Sequence, residues 1–178
     1  LDTKYAIDSG ADEIDIVINR KAFLEGDYRK VFDEIVALKE ACGNVHLKTI
    51  LEVGDLKTYE NIRKASLISL AAGSDFIKTS TGKESINATL GTSIVMVRAI
   101  REYWEKTGFK VGYKPAGGIS KAKDALVYLS LIKEELGNDW MDASLFRFGA
   151  SSLLGDIERQ LEHYLTGNYS ANYRHPLG

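Results

Sequence analysis

The chain has 178 residues, 44% of them hydrophobic, with 23 Lys and Arg against 25 Asp and Glu and a formal net charge of −2. That length and apolar content build one substantial core without requiring a second domain. The balanced charge gives no electrostatic footprint for nucleic acid or an anionic membrane, so any basic site must be local.

Short apolar runs alternate with longer amphipathic stretches, which predicts repeated βα units around a parallel sheet. The first strand is expected at 13–18, where Ile14, Ile16 and Ile18 share one face and leave Asp15 as an inward carboxylate on the other. A helix from Asp27 to Cys42 follows, with Val31, Ile35, Leu38 and Cys42 at helical spacing and Gly43 as its stop. The second strand, 45–52, carries Lys48, with Glu52 on the same face as its expected partner. Leu56 to Ala72 forms the next covering helix, before Gly73. The third strand, 75–79, carries Lys78 into the turn Thr79-Ser80-Thr81-Gly82-Lys83, and the helix Gly91 to Thr107 comes after it. The fourth, 110–114, ends on Lys114 before Pro115-Ala116-Gly117-Gly118, with Ser120 the expected N-cap of a helix running to Leu136. The fifth, 145–148, leads into Gly149-Ala150-Ser151-Ser152, where Ser151 or Ser152 opens a last helix toward Tyr164. Apolar periodicity then fades, predicting a globular unit over 1–165 and a loose tail over 166–178.

Cys42 is the only cysteine, which excludes an internal disulfide and fits a reducing, cytoplasmic setting. No apolar run suits a membrane span, no signal-peptide pattern is present, and the opening Leu1-Asp2-Thr3 reads as that of a cut or processed chain. His46, His163 and His175 lack metal-ligand spacing, so no metal is implied. The sequons at Asn87 and Asn168 read as chance matches.

Recurrent lysines on apolar strands point to chemistry, because a buried ammonium loses hydration that only a paired charge or a lowered pKa offsets. The bland reading is that each lysine snorkels to solvent from a strand end. Lys78 and Lys114 lie on consecutive strands, where parallel pairing brings their amines together. Repulsion and desolvation then favour a neutral amine able to attack an aldehyde or ketone as a Schiff-base nucleophile. Asp15 in the same interior would relay protons, and Lys48 would support. The residues alone do not rank Lys78 above Lys114.

The glycine- and hydroxyl-rich turns after the last three strands offer close backbone approach and N–H donors, as in a phosphate cradle. Their bland reading is ordinary βα turn chemistry. No GxGxxG follows the first strand, and Thr81-Gly82-Lys83-Glu84 lacks the hydroxyl and first glycine of a nucleotide P-loop. A (β/α)8 barrel suits the pattern better, since strand C-termini converge there on one mouth. Five units do not close such a barrel.

Four segments in order, Gly10-Ala11-Asp12-Glu13-Ile14-Asp15, Phe76-Ile77-Lys78-Thr79-Ser80-Thr81-Gly82-Lys83, Lys114-Pro115-Ala116-Gly117-Gly118 and Arg147-Phe148-Gly149-Ala150-Ser151-Ser152, resemble the signatures of the deoxyribose-phosphate aldolases, a class I aldolase family, over about Ala6 to Leu161. The resemblance implies an α/β fold of the TIM (β/α)8 barrel family with about five of the eight units present, the chain starting in the helix before the fourth strand. It implies Lys78 as the Schiff-base lysine, Lys114 as its electrostatic and proton-transfer partner, and Asp15 as the other proton-transfer residue. Phosphate contacts are implied for Gly82, Lys83, Gly117, Gly118, Ser120, Gly149, Ser151 and Ser152, and Lys48 and Thr79 complete the candidate substrate-binding set. The implied reaction is reversible cleavage of 2-deoxyribose 5-phosphate to glyceraldehyde 3-phosphate and acetaldehyde, without cofactor. The expected partners are this sugar phosphate and, at the open sheet edges near Ile14 and Phe146, other copies of the chain. An inactive fragment acting as a phosphate-binding or chain-association module is the competing expectation.

Overall fold

β-branched residues at alternate positions make the first strand, β1 (Glu13–Val17), and it pairs in parallel with β2 (His46–Ile50). β2 pairs with β3 (Phe76–Lys78) and β3 with β4 (Gly112–Lys114), all parallel, so sheet order follows chain order. The structure, a computed structural model, describes residues 2–171 and 174; His175 and the rest of the predicted tail at 172, 173 and 175–178 lie outside the described residues.

Helices supply the crossovers that parallel neighbours require. Helix α1 (Asp2–Asp8) precedes β1; α2 (Arg20–Leu24) and α3 (Tyr28–Cys42) follow it; α4 (Val53–Leu56) and α5 (Tyr59–Ala71) follow β2; α6 (Leu90–Thr107) follows β3. Helix α7 (Ala122–Leu136) comes after β4, and α8 (Leu153–Thr166) after the fifth strand segment. The short α2 and α4 have no counterpart in the sequence pattern. Among the described residues, no helix is long and apolar enough to cross a membrane.

The predicted strand 145–148 pairs with β4 but loses one rung. Tyr113 donates its N–H to Leu145 O (2.8 Å) and Arg147 donates to Tyr113 O (3.2 Å). The next donor would be the N–H of Pro115, which proline lacks; pairing resumes from Gly149 to Pro115 O (2.8 Å) and from Gly117 to Gly149 O (3.2 Å). Two isolated parallel bridges, Tyr113 with Phe146 and Ala116 with Gly149, are what remains of a regular ladder.

Two further expectations are corrected. β2 ends at Ile50, and Glu52 takes a left-handed conformation (φ 53°, ψ 66°) at the entry to α4, so strand alternation does not carry it to Lys48. The N-cap of α7 is Lys121, not Ser120; Asp156 of α8 accepts the Ala122 N–H instead (2.7 Å), supplying from another helix what a serine hydroxyl would have supplied.

Register sorts the side chains. Leu47, Ile77 and Tyr113 point outward and pack with Val31 and Ile35 of α3, Ile62 and Leu70 of α5, and Met96 and Ile100 of α6. Asp15 lies opposite Lys48, and Lys78 opposite Lys114, on the inner face. Four parallel strands and an interrupted fifth segment, with helices on one face and charged groups on the other, make an open α/β arrangement of the kind that repeated units of a (β/α)8 barrel build.

Below β4, Trp140 is fully buried, donates its indole N–H to Val111 O (2.9 Å) and meets Trp104 edge-on with ring centres 4.9 Å apart. Trp140→Ala is expected to destabilise the fold by about 3–5 kcal/mol, read as a lowered urea midpoint at unchanged slope.

Candidate active site

Three strands aim lysines at one carboxylate. Asp15 Oδ2 lies 3.0 Å from Lys78 Nζ and 3.9 Å from Lys114 Nζ, while Oδ1 lies 3.0 Å from Lys48 Nζ. The two-residue period of β1, with its pairing to β2, fixes this geometry. Burial works against charge on Asp15, but the hydrogen bonds and charges of Lys78 and Lys48 outweigh it and hold the carboxyl below its ordinary range. Lys114 is also held below its ordinary value, but there the charged form is disfavoured: burial, then the neighbouring Lys78 charge, push its amine down, with Asp15 opposing.

Lys48 is almost wholly buried and sits between Asp15 and Glu13, whose Oε2 is 2.6 Å from its Nζ. Glu13 in turn receives Arg147 Nη1 on both oxygens, at 2.5 and 2.6 Å. Burial opposes the Glu13 charge as well, and Arg147 and Lys48 overcome it, leaving the carboxyl below its usual range. Sequence reading placed both Glu13 and Arg147 in recognised segments without a role. The available signal was that Glu13 alternates with Asp15 and so shares its face.

Beside Lys78 opens a cavity of about 410 Å³. Of the predicted substrate-binding residues, Gly82, Gly117, Gly118, Ser120, Gly149, Ser151 and Ser152 line it. Gly82, Gly117 and Gly118 have φ of 90°, 86° and 81°, a region that L side chains rarely adopt. A Cβ on Gly149 would sit 2.6 Å from the Ala116 Cβ, so glycine there keeps the wall close.

Three predicted residues lie elsewhere. Lys83 is exposed and off the cavity wall, and Lys48 lies among the carboxylates rather than on that wall. Thr79 is fully buried: its hydroxyl donates to Ala116 O (3.0 Å) and accepts from Ala116 N–H (2.9 Å), holding the turn that carries Gly117. Glu52, expected from the sequence as a partner of Lys48, instead accepts the Thr81 N–H (2.8 Å) and so anchors the turn that carries Gly82.

Because folding depresses the Asp15 carboxyl, its ionisation contributes stability that is present above the unfolded-state value near 3.9 and is lost as pH falls through the lower folded value. Asp15→Asn is therefore expected to be less stable than the unchanged protein at pH 6 and to converge with it as pH falls through the depressed folded-state value and Asp15 itself becomes neutral; denaturant midpoints measured at falling pH check this.

Inward amines around one carboxylate, beside a glycine-walled cavity at strand C-termini, have close relatives among known proteins. Over 174 residues the chain is 58% identical to the deoxyribose-phosphate aldolase of Bos taurus and 56% identical to that of Homo sapiens, each alignment covering 98% of this chain and 55% of the relative. The chain thus spans about half the length of the curated relatives it matches. A solved structure described as "QR15, an Aldolase" superposes with a TM-score of 0.73 at 28% identity, over 92% of this chain and 65% of the other. The model of the DeoC/LacD family aldolases matches residues 1–155, and with that match, in the same span that builds the Asp15, Lys78 and Lys114 cluster, the chain belongs to this aldolase family.

Proposed function

We propose that this chain carries the reacting groups of a deoxyribose-phosphate aldolase, a carbon–carbon lyase acting through a Schiff base. The observation that carries the reading is the triple approach to Asp15: Lys78 at 3.0 Å and Lys114 at 3.9 Å on one oxygen, Lys48 at 3.0 Å on the other. The 56–58% identity to the two mammalian aldolases supports the choice of substrate.

In the cleavage direction the neutral amine of Lys78 adds to the aldehyde carbon of open-chain 2-deoxyribose 5-phosphate, and loss of water gives an iminium. Asp15, directly or through water, takes the proton of the C3 hydroxyl. The C2–C3 bond then breaks, its electron pair flowing into the iminium to form an enamine as glyceraldehyde 3-phosphate departs. Lys114 and Asp15 return a proton to C2, and hydrolysis frees acetaldehyde and Lys78. The electron sink is the iminium itself, so the chemistry calls for no cofactor.

The phosphate would rest in the cavity of Gly82, Gly117, Gly118, Gly149, Ser151 and Ser152, with Ser120 at its side and Lys83 approaching from the rim. Helix α8, 14 residues long, starts at Leu153 immediately after this wall and would present its positive end to the anion. Lys48 acts on the substrate through Asp15, and Thr79 through the turn it holds. The aldolase unit runs over 1–165, with 166–178 as a tail. A cytoplasmic setting suits the lone cysteine. Exposed Leu154, Leu161 and Leu165 on α8 support association between copies.

Borohydride reduction during incubation with 2-deoxyribose 5-phosphate tests the reading. Peptide mass spectrometry is expected to find the reduced adduct on Lys78; an adduct confined to another lysine, or none, sinks the assignment.

A further inference from the structure

Glu13 and Arg147 stand in the same interior as the reacting groups, yet the reaction gives neither of them a step. Glu13 lies two residues before Asp15 on β1, and Arg147 comes from the interrupted fifth strand, 134 positions away in sequence. The guanidinium binds both Glu13 oxygens and lies over the Phe76 ring, 5.0 Å from its centre. Glu13 Oε2 is 2.6 Å from Lys48 Nζ, closer than the 3.0 Å from that amine to Asp15. With 4% of its surface exposed, Lys48 has little contact with water and divides its charge between two carboxylates. Arg147, Glu13, Lys48, Asp15 and Lys78 thus form one unbroken line of alternating sign.

We propose that Glu13 and Arg147 are positioning residues that set how much of the Lys48 charge reaches Asp15, and thereby the strength of Asp15 as a proton acceptor. An ionised Glu13 draws Lys48 away from Asp15, and Arg147 limits that draw by engaging Glu13. The groups facing Asp15 and Glu13 from the neighbouring strands are Lys48 and His46 of β2, Lys78 of β3, Lys114 of β4 and Arg147; His46 Nδ1 is 3.9 Å from Glu13.

Each removal has its own sign. Without Arg147, Glu13 holds Lys48 harder and a positive charge leaves the interior, so Asp15 titrates at higher pH. Neutralising Glu13 releases Lys48 wholly to Asp15, so Asp15 titrates at lower pH. A pair that merely tied the fifth strand to β1 would give no such opposition, since losing either member loosens the same contact.

The catalytic consequence rests on the aldolase reading; the electrostatic one does not. Carboxyl-carbon NMR of aspartate-labelled protein reads the Asp15 midpoint directly. Arg147→Gln is expected to raise it by about half a pH unit or more, and adding Glu13→Gln to that variant is expected to bring it back down. No rise in Arg147→Gln, or a further rise in the double variant, overturns the proposal. Should Arg147→Gln not fold, Glu13→Gln alone carries the test, with an unchanged or raised midpoint overturning it. Borohydride trapping on the unchanged protein is scored separately: a missing Lys78 adduct removes the aldolase reading and leaves the titration result standing.

Discussion

Lys78→Met is expected to lower turnover by about 10⁴–10⁶-fold and to abolish the borohydride adduct, whereas Lys114→Met is expected to cost about 10²–10⁴-fold and to retain an adduct on Lys78. The two amines face each other across β3 and β4 and share Asp15, so position alone does not separate them. Their contacts do. Lys78 makes the 3.0 Å bond to Asp15 and lines the cavity; Lys114 stands 3.9 Å from the carboxylate and off the cavity wall. A group that forms the covalent bond has no substitute, while a group that passes a proton is partly replaced by water. Either substitution leaves Asp15 paired with Lys48, so circular dichroism is expected to stay unchanged. An adduct that survives in Lys78→Met and vanishes in Lys114→Met reverses the roles.

Gly117→Ala is expected to raise KM for the phosphorylated sugar roughly 10–100-fold, because a side chain held at positive φ costs about 1–3 kcal/mol and this one also meets a neighbour. Its Cβ would lie 2.6 Å from both Cβ and Cγ of Asn87. Asn87 cannot easily retreat: its Oδ1 accepts from the Ser80 hydroxyl (2.8 Å) and its Nδ2 donates to Glu84 O (2.6 Å). The turn must open instead, carrying the cavity wall away from the phosphate position. Unphosphorylated 2-deoxyribose, which does not use that wall, is expected to lose much less in kcat/KM. Equal losses for both sugars count against a phosphate site at this turn.

Much of this arrangement was legible in the chain. Period-two alternation at Glu13–Val17 and the single lysines of β2, β3 and β4 gave the inner face and its charges, because side-chain direction in a strand follows from counting. What escaped depended on where strands stop and on what lies across the interior. Lys48 was matched to Glu52 by alternation; β2 stops at Ile50, the chain turns left-handed at Glu52, and the true partners Glu13 and Asp15 are more than thirty residues upstream. Ser120 has the chemistry of a cap, but Asp156 reached the helix first. The break at Pro115 was readable from the missing N–H alone, once pairing with the fifth strand was known.

The fork between Arg147 and Glu13 has a consequence for the order in which the protein is made. Its members come from opposite ends of the described order, 134 residues apart, so the longest-range bond of the site closes last as the polypeptide emerges. Asp15, Lys48, Lys78 and Lys114 are all synthesised before it, and so is the turn of Gly117 and Gly118. A nascent chain halted near residue 120 would hold Lys48, Lys78 and Lys114 while lacking both the Gly149 wall and the Arg147 contact to Glu13. The Gly149 wall and the Arg147 contact are therefore added only after the amines are already in place.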